Sequence, residues 1–239
     1  MSNALQKDRE SVSSMFNNIA SKYDLLNHLL SFGIDKIWRR KLLKFVKAGN
    51  PEKVLDLACG TGDMTIAIYK SGFEVIGIDI AEKMLEIAKG KSNRIRSGST
   101  PPPAYILASA DSIPFSDNSF DSVTITFGIR NFENRISSLQ EIMRVLKNGG
   151  YLSILEFAMP KNRLWHGLFN FYFLNILPFV GKLISKDIKA YTYLPVSVKS
   201  FPQYGDLCNE IKNEGFTEVK FKSLTGGVAV LYTARKAVL

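Results

Sequence analysis

Asp56, Gly60, Thr61, Gly62 and Asp79 follow one another in the order a nucleotide site requires: an acid late in one apolar run, a Gly-Thr-Gly turn, and a second acid closing the next run. The two glycines let backbone approach a ligand closely, and Asp79 can accept hydrogen bonds from ribose hydroxyls. Thr65 stands where the dinucleotide fingerprint G-x-G-x-x-G needs its last glycine or alanine. A pyrophosphate also seeks an electropositive helix start, whereas Asp56 and Asp63 flank this turn. Carboxylates here suit a ligand that carries an ammonium and a sulfonium, so the cofactor expected is S-adenosyl-L-methionine. The competing reading is that Asp56 and Asp79 merely cap strand ends.

Arg130 and Asn131 form a second polar pair just beyond the apolar run Ser122–Phe127. A guanidinium stays protonated, so Arg130 reads either as a fixed cation in a site or as half of a structural salt bridge. His28 and His166 show no sequence partner that would mark a catalytic dyad. Cys59 and Cys208 lie far apart without a CxxC pair, so neither a disulfide framework nor a metal site is expected. Cys59, between a strand and a turn, reads as buried, and Phe32 and Trp38 as core.

The elements that must position these residues alternate between Pro51 and Lys161: short apolar runs and helical periodicity, the pattern of a parallel sheet covered by helices. Lys53–Cys59, Glu74–Ile80, Tyr105–Ala108, Ser122–Phe127 and Tyr151–Phe157 read as strands. Helices are predicted over Met64–Ser71, from Ala81 to Ala88, and over Ile136–Leu146, the last ended by Asn148-Gly149-Gly150. Gly90–Pro103, with three consecutive prolines, reads as a surface loop. Thr217–Leu224 and Val228–Arg235 read as a terminal hairpin joined at Thr225-Gly226-Gly227. The division expected is a helical lid over residues 1–50 and a main domain over 51–239, with an apolar insertion at about 162–200.

Composition sets the limits. With 46% apolar and 22% charged residues in 239, the chain is globular, which excludes wholesale disorder and coiled coil. Residues 1–20 are polar where a secretory leader needs an apolar core, so a cytoplasmic protein is expected. The net charge of +9 is unevenly spread, with nine Lys and Arg against four acids in the first fifty residues and parity in the next fifty. Scattered basic flanks suit anionic lipid headgroups better than nucleic acid, which wants basic residues gathered on one face, and charge alone equally fits a solvated surface kept soluble by its net charge. Leu164–Ile184 is crowded with aromatics, yet His166, Asn170, Asn175, Pro178 and Lys182 interrupt any membrane span. An apolar lid or a helix lying at the bilayer interface fits that segment, and peripheral attachment to the inner face of a membrane follows.

Longer motifs carry a resemblance. Tyr23-Asp24-Leu25-Leu26-Asn27, Leu30-Ser31-Phe32-Gly33 and Trp38 are similar to the first signature of the UbiE/MenG family of quinone-biosynthetic C-methyltransferases, with Asp35 in a place usually held by histidine. Arg144-Val145-Leu146-Lys147, Gly149-Gly150 and Glu156 resemble the second, with Asn148 where proline is usual and Ala158 where serine is. Phe127-Gly128-Ile129-Arg130-Asn131, Tyr191–Pro195 and Leu224–Val228 agree as well, and the likeness runs from about Phe16 to Lys236. It implies a class I S-adenosylmethionine-dependent methyltransferase: a Rossmann-like α/β fold whose seven-stranded, mostly parallel sheet ends in an antiparallel hairpin. It further implies that Thr61, Asp79, Ser109, Ala110 and Thr126 contact the cofactor beside Asp56, Gly60 and Gly62. Ser109 departs from the usual Asn or Asp, and Asp111 is a substitute acceptor for the adenine amino group. Tyr23 and Asn27, spaced i, i+4, would belong to a lid over the site.

The implied reaction is C-methylation of demethylmenaquinol, with methylation of a polyprenyl benzoquinol as the alternative. A base methyltransferase would carry [DN]-P-P-[YF], which the Thr126-Phe127-Gly128-Ile129 stretch lacks, and a noncatalytic scaffold is the other rival. Ionising a quinol hydroxyl with pKa near ~10 at neutral pH costs about 4 kcal/mol. One positive charge at ~4 Å and an effective dielectric of ~20 returns a similar amount. Arg130 is therefore expected to act as that charge, Asn131 to orient the hydroxyl, and Asp111 or water to take the proton. The partners expected are a polyprenylated quinol and a membrane surface, without nucleic acid; assembly into homo-oligomers stays open.

Overall fold

The computed structural model describes residues 8–95, 100–171 and 188–238. Five parallel strands form the body of the sheet: β1 (Lys53–Leu57), β2 (Glu74–Asp79), β3 (Ala104–Leu107), β4 (Phe120–Thr126) and β5 (Leu146–Phe157). The hairpin strands β6 (Thr217–Leu224) and β7 (Ala229–Arg235) complete an order β3-β2-β1-β4-β5-β7-β6. β7 runs antiparallel to both neighbours, so the chain's last strand inserts between β5 and β6. The expected fold class is thus found: a mostly parallel seven-stranded sheet with an antiparallel C-terminal hairpin.

The sequence explains the core. Val54, Leu55 and Leu57 are fully buried, because a parallel strand covered on both faces reads as a continuous apolar run. Asp56 breaks that run and is also fully buried. Two hydroxyls satisfy it: Thr65 Oγ1 donates at 2.6 Å from α3 (Asp63–Tyr69), and Thr124 Oγ1 at 2.8 Å from β4. One carboxylate thereby joins three elements directly beneath the glycine turn.

Two helices precede the sheet. α1 (Arg9–Leu30) packs Ile19 and Ala20 against Ala81 and Met84 around the start of α4 (Glu82–Ser92). α2 (Ile34–Ala48) buries Trp38, Leu42 and Val46 against Val54, Leu155 and Leu231, and Trp38 Nε1 donates to Thr225 Oγ1 at 2.8 Å, fastening α2 to the hairpin loop. Trp38 is core as expected; Phe32 is not. It is 78% exposed, at positive φ in the turn between α1 and α2, where the tight reversal turns its side chain outward.

Three further boundaries differ from the sequence reading. α4 continues to Ser92, into the stretch read as loop, and residues 96–99 lie outside the described residues. α5 (Arg135–Val145) passes directly into β5, so Gly149-Gly150 do not terminate the helix. Pairing steps from Phe120 with Leu146 to Ser122 with Tyr151, and residues 147–150 form a bulge that buried Leu146 starts. Of Leu164–Ile184, only the part in α6 (Arg163–Phe171) is described; residues 172–187 lie outside, and α7 (Ile188–Ser200) and α8 (Gly205–Asn213) follow. No helix among the described residues is long and apolar enough to cross a membrane.

Burial raises the Asp56 pKa from 3.8 to about 6, against the lowering effect of its threonine partners. The folded state therefore holds its proton more tightly than the unfolded chain, and stability from this group falls as pH rises from 4 through 6. Two pKa units correspond to about 3 kcal/mol. Asp56→Asn is expected to be up to that much less pH-sensitive than the parent across pH 4–7, checked by urea unfolding at each pH; parallel pH profiles would refute the assignment.

Candidate active site

The strand order reverses between β1 and β4, and a crevice opens beyond their carboxyl ends. The chain leaves β1 through Ala58, Cys59 and Gly60, and the Gly60 N–H donates to Asp79 Oδ2 at 2.8 Å. Ala81 N–H donates to Asp79 Oδ1 at 2.9 Å. The backbone thus fixes the Asp79 carboxylate, which still has acceptor capacity, in the wall of a cavity that Asp79 and Gly60 line. Burial raises the Asp79 pKa, while these backbone donors pull it down.

Ser109, Ala110 and Asp111 line the same cavity on the β3 side, and Thr126 and Asn131 on the β4 side. Thr126 Oγ1 is buried without a hydrogen-bond partner, an orphan hydroxyl that a ligand in the cavity would satisfy. Asp111 is bound by Arg9 Nη2 at 2.8 and 3.0 Å. An electronegative pair of ribose acceptors, an unbonded hydroxyl and a polar Ser-Ala-Asp rim fit S-adenosylmethionine.

Three of the expected cofactor residues stand behind this wall. Asp56 spends both oxygens on threonines. Thr61 Oγ1 donates to Asp24 Oδ1 at 2.5 Å and accepts from Lys91 Nζ at 3.1 Å. Gly62, at φ +82°, presses on α4, where a Cβ would come within 2.9 Å of Ala88 Cβ. These shape the turn; the cavity surface belongs to Gly60 and Asp79.

A second cavity shares Phe16, Tyr23 and Phe127 with the first. Its polar residues include Asn27, Asp35, Arg39, Arg130 and Tyr193. Tyr23 therefore stands between the chambers, its phenol bonded to Asn27 and its pKa raised by burial despite the Arg130 charge. Arg130 Nη1 donates to Glu156 Oε1 and to the Phe127 carbonyl, each at 2.6 Å, while Arg130 Nε is buried and unbonded. The Tyr193 hydroxyl donates to Asn131 Oδ1 at 3.0 Å, connecting the second cavity to the first.

Two expectations change. Asp111 does not share a cavity with Arg130 and is already paired with Arg9, so it is not placed to take a proton there. His28 does have partners: its Nδ1 lies 2.8 Å from Asp35 Oδ2 and its Nε2 3.5 Å from Asp63 Oδ2. They escaped notice because they come from α2 and α3, seven and thirty-five positions away. Tyr193 and Glu156 lay within quoted motifs but had no role; Arg39 had no sequence signal beyond adjacency to Trp38.

Residues 3–236 match the ubiE/COQ5 methyltransferase family. A demethylmenaquinone methyltransferase of Bacteroides fragilis is 43% identical over 232 residues, covering 96% of this chain and 94% of that protein. A ubiquinone/menaquinone biosynthesis C-methyltransferase UbiE of Geotalea uraniireducens is 41% identical over 238 residues, covering 97% and 99%. A SAM-dependent methyltransferase structure from Thermotoga maritima superposes with TM-score 0.64 at 18% identity, over 93% of this chain and 99% of that one, a likeness of fold. Sheet order, crevice and the near full-length match lead to one conclusion: the chain belongs to the ubiE/COQ5 methyltransferase family.

Proposed function

We propose that the protein methylates a ring carbon of a demethylmenaquinol with S-adenosylmethionine as donor. The observation that carries this is the pair of cavities meeting at Tyr23 and Phe127, one with free ribose acceptors and one lined by Phe16, Phe127, Phe157 and Arg130. An aromatic-walled chamber with a cation suits a flat, ionisable ring. The naphthoquinol is preferred to a benzoquinol because relatives from Bacteroides fragilis and Porphyromonas gingivalis, 43% and 39% identical, are named demethylmenaquinone methyltransferases.

S-Adenosylmethionine supplies an electrophilic methyl group when bound. Asp79 would hold its ribose, Thr126 would satisfy its own hydroxyl against it, and Ser109, Ala110 and Asp111 would border the adenine. Arg130 acts differently from the isolated cation the sequence suggested. Glu156 lies 2.6 Å from it and offsets its charge, so the long-range field nearly cancels. What remains is the directed, buried Nε–H. A hydrogen bond from a charged donor contributes about 1.5–3 kcal/mol, a large share of the cost of ionising the ring hydroxyl. Asn131, held by Tyr193, would orient substrate at the junction of the cavities.

A prenylated substrate resides in lipid, so we further infer reversible attachment to an anionic membrane surface. Leu164 and Phe171 on α6 are 81% and 60% exposed, beside Lys161 and Arg163. Phe169, one of the aromatics of Leu164–Ile184, instead packs inward on Val198 and Leu194 because the α6 face it occupies meets α7; the rest of that segment, from residue 172 on, lies outside the described residues.

Asp79→Ala is expected to weaken S-adenosylmethionine binding by about 1.5–3 kcal/mol in calorimetric titration, and an unchanged dissociation constant in a folded variant would sink the assignment. Arg130→Ala alone strands a buried Glu156, a cost of about 3–5 kcal/mol, so Arg130→Met with Glu156→Leu is the cleaner test. That pair should lower kcat by tenfold or more, on the order of the lost hydrogen bond, with cofactor affinity intact; wild-type turnover would make Arg130 purely structural. Sedimentation with anionic vesicles should weaken with salt and with Leu164→Ser plus Phe171→Ser. Binding unaffected by either would remove α6 from membrane contact.

A further inference from the structure

We propose that Arg39, together with Asp35, holds the second oxygen of the quinol ring, at a pole of the substrate cavity separate from Arg130; this rests on the quinol reading above. Both residues come from α2 and line the second cavity. Arg39 Nε is buried without a hydrogen-bond partner. Its nearest carboxylate oxygen, Asp35 Oδ2, is 3.6 Å away, an ion pair but too long for a hydrogen bond.

Asp35 is 2% exposed and anchored from behind. His28 Nδ1 meets its Oδ2 at 2.8 Å and Ser31 Oγ donates to its Oδ1 at 2.7 Å. Each oxygen keeps an acceptor site. One pole of the cavity thus offers a charged donor that lacks an acceptor beside a carboxylate that can accept.

The Arg130 pole repeats this pattern. Arg130 Nε is likewise buried and unbonded. The two guanidiniums are braced by the two rings of one stacked pair: Arg39 lies 5.5 Å from the Phe127 centroid and Arg130 5.6 Å from that of Phe157, the rings being 4.4 Å apart and tilted by 21°. Buried N–H groups without partners are rare and costly. Two of them, on residues that line a single aromatic-walled cavity, suit a flat ligand with two oxygens, which is what a ring with para hydroxyls presents. The far hydroxyl would accept from Arg39 Nε and donate to Asp35. A monophenol would leave one guanidinium unsatisfied, so this pole selects hydroquinones over phenols.

The test uses three probes, titrated calorimetrically and anaerobically into protein saturated with S-adenosylhomocysteine: a short-tailed 2-prenyl-1,4-naphthoquinol, 2-prenyl-1-naphthol and 3-prenyl-1-naphthol. The two naphthols each lack one of the two oxygens. In the parent protein, losing either oxygen should weaken binding by about ten- to a hundredfold, as for hydrogen bonds to charged groups. In Arg39→Met, the penalty for one of the naphthols should vanish while the other persists, with S-adenosylhomocysteine affinity unchanged. Arg39→Lys, which keeps a cation against Phe127, should retain part of the lost discrimination and serves if the methionine variant folds poorly. The proposal is overturned if Arg39→Met weakens all three probes equally, or if the parent binds one naphthol as tightly as the quinol. Either result leaves the quinol reading intact, whereas failure of the parent to bind or methylate the quinol overturns both.

Discussion

Everything at the site depends on the reversal of strand order between β1 and β4. Parallel strands end on one edge, and neighbours whose connections leave to opposite faces cannot close the space between them. The β1 turn, the end of β2 and the end of β4 therefore surround one opening, and the chain needs only short polar side chains there to make a site. Asp56 keeps that opening in register. Its two threonine bonds tie β1 to α3 and β4 in the most buried part of the sheet. A carboxylate in that position is costly, as its raised pKa shows, and apolar packing alone would leave the turn above it free to slide.

The opening is covered from outside by charge. Thr61 of the turn bonds Asp24 of α1, Lys91 of α4 reaches both Asp24 and Asp63, and His28 lies between Asp63 and Asp35 of α2. Partly exposed pairs of this kind each contribute about 0–1 kcal/mol, too little to hold the fold. Their effect is positional: they set the height of α1 over the glycine turn, and with it Tyr23 between the two cavities. Asp63 shows the coupling, since burial would raise its pKa, yet Arg39, Lys91 and His28 hold it below the usual carboxylate value.

The Arg130–Glu156 pair is of the opposite kind. At 6% and 0% side-chain exposure it has lost its water, and such pairs add little net stability over apolar residues of the same shape. Glu156 also accepts from the backbone N–H of Phe157 at 2.8 Å. The guanidinium is consequently fixed at the end of β4, and its unbonded Nε gains in strength from the same dry surroundings that make the pair expensive.

Much of this was legible in the sequence because it rests on local rules. Alternating apolar runs and helical periodicity place the strands to within about two residues, except that β5 begins five residues before the expected Tyr151 because of its bulge; a Gly-Thr-Gly turn after a buried strand marks the crevice, and an acid closing the next strand marks the ribose side. Phe-Gly-Ile-Arg-Asn by itself places a cation and an amide just beyond the end of β4. What tertiary structure decided was which of these side chains still had bonds to offer. Asp56 and Thr61 are spent on partners 9 and 37 positions away, and Asp111 is spent on Arg9, 102 positions distant. His28, read as solitary, lies between two acids, and Arg39, which no motif marked, is left with an empty donor. Residue type and spacing determine where a polar group sits along an element; whether its hydrogen bonds are already satisfied depends on contacts between elements far apart in the chain, and only the folded protein settles that.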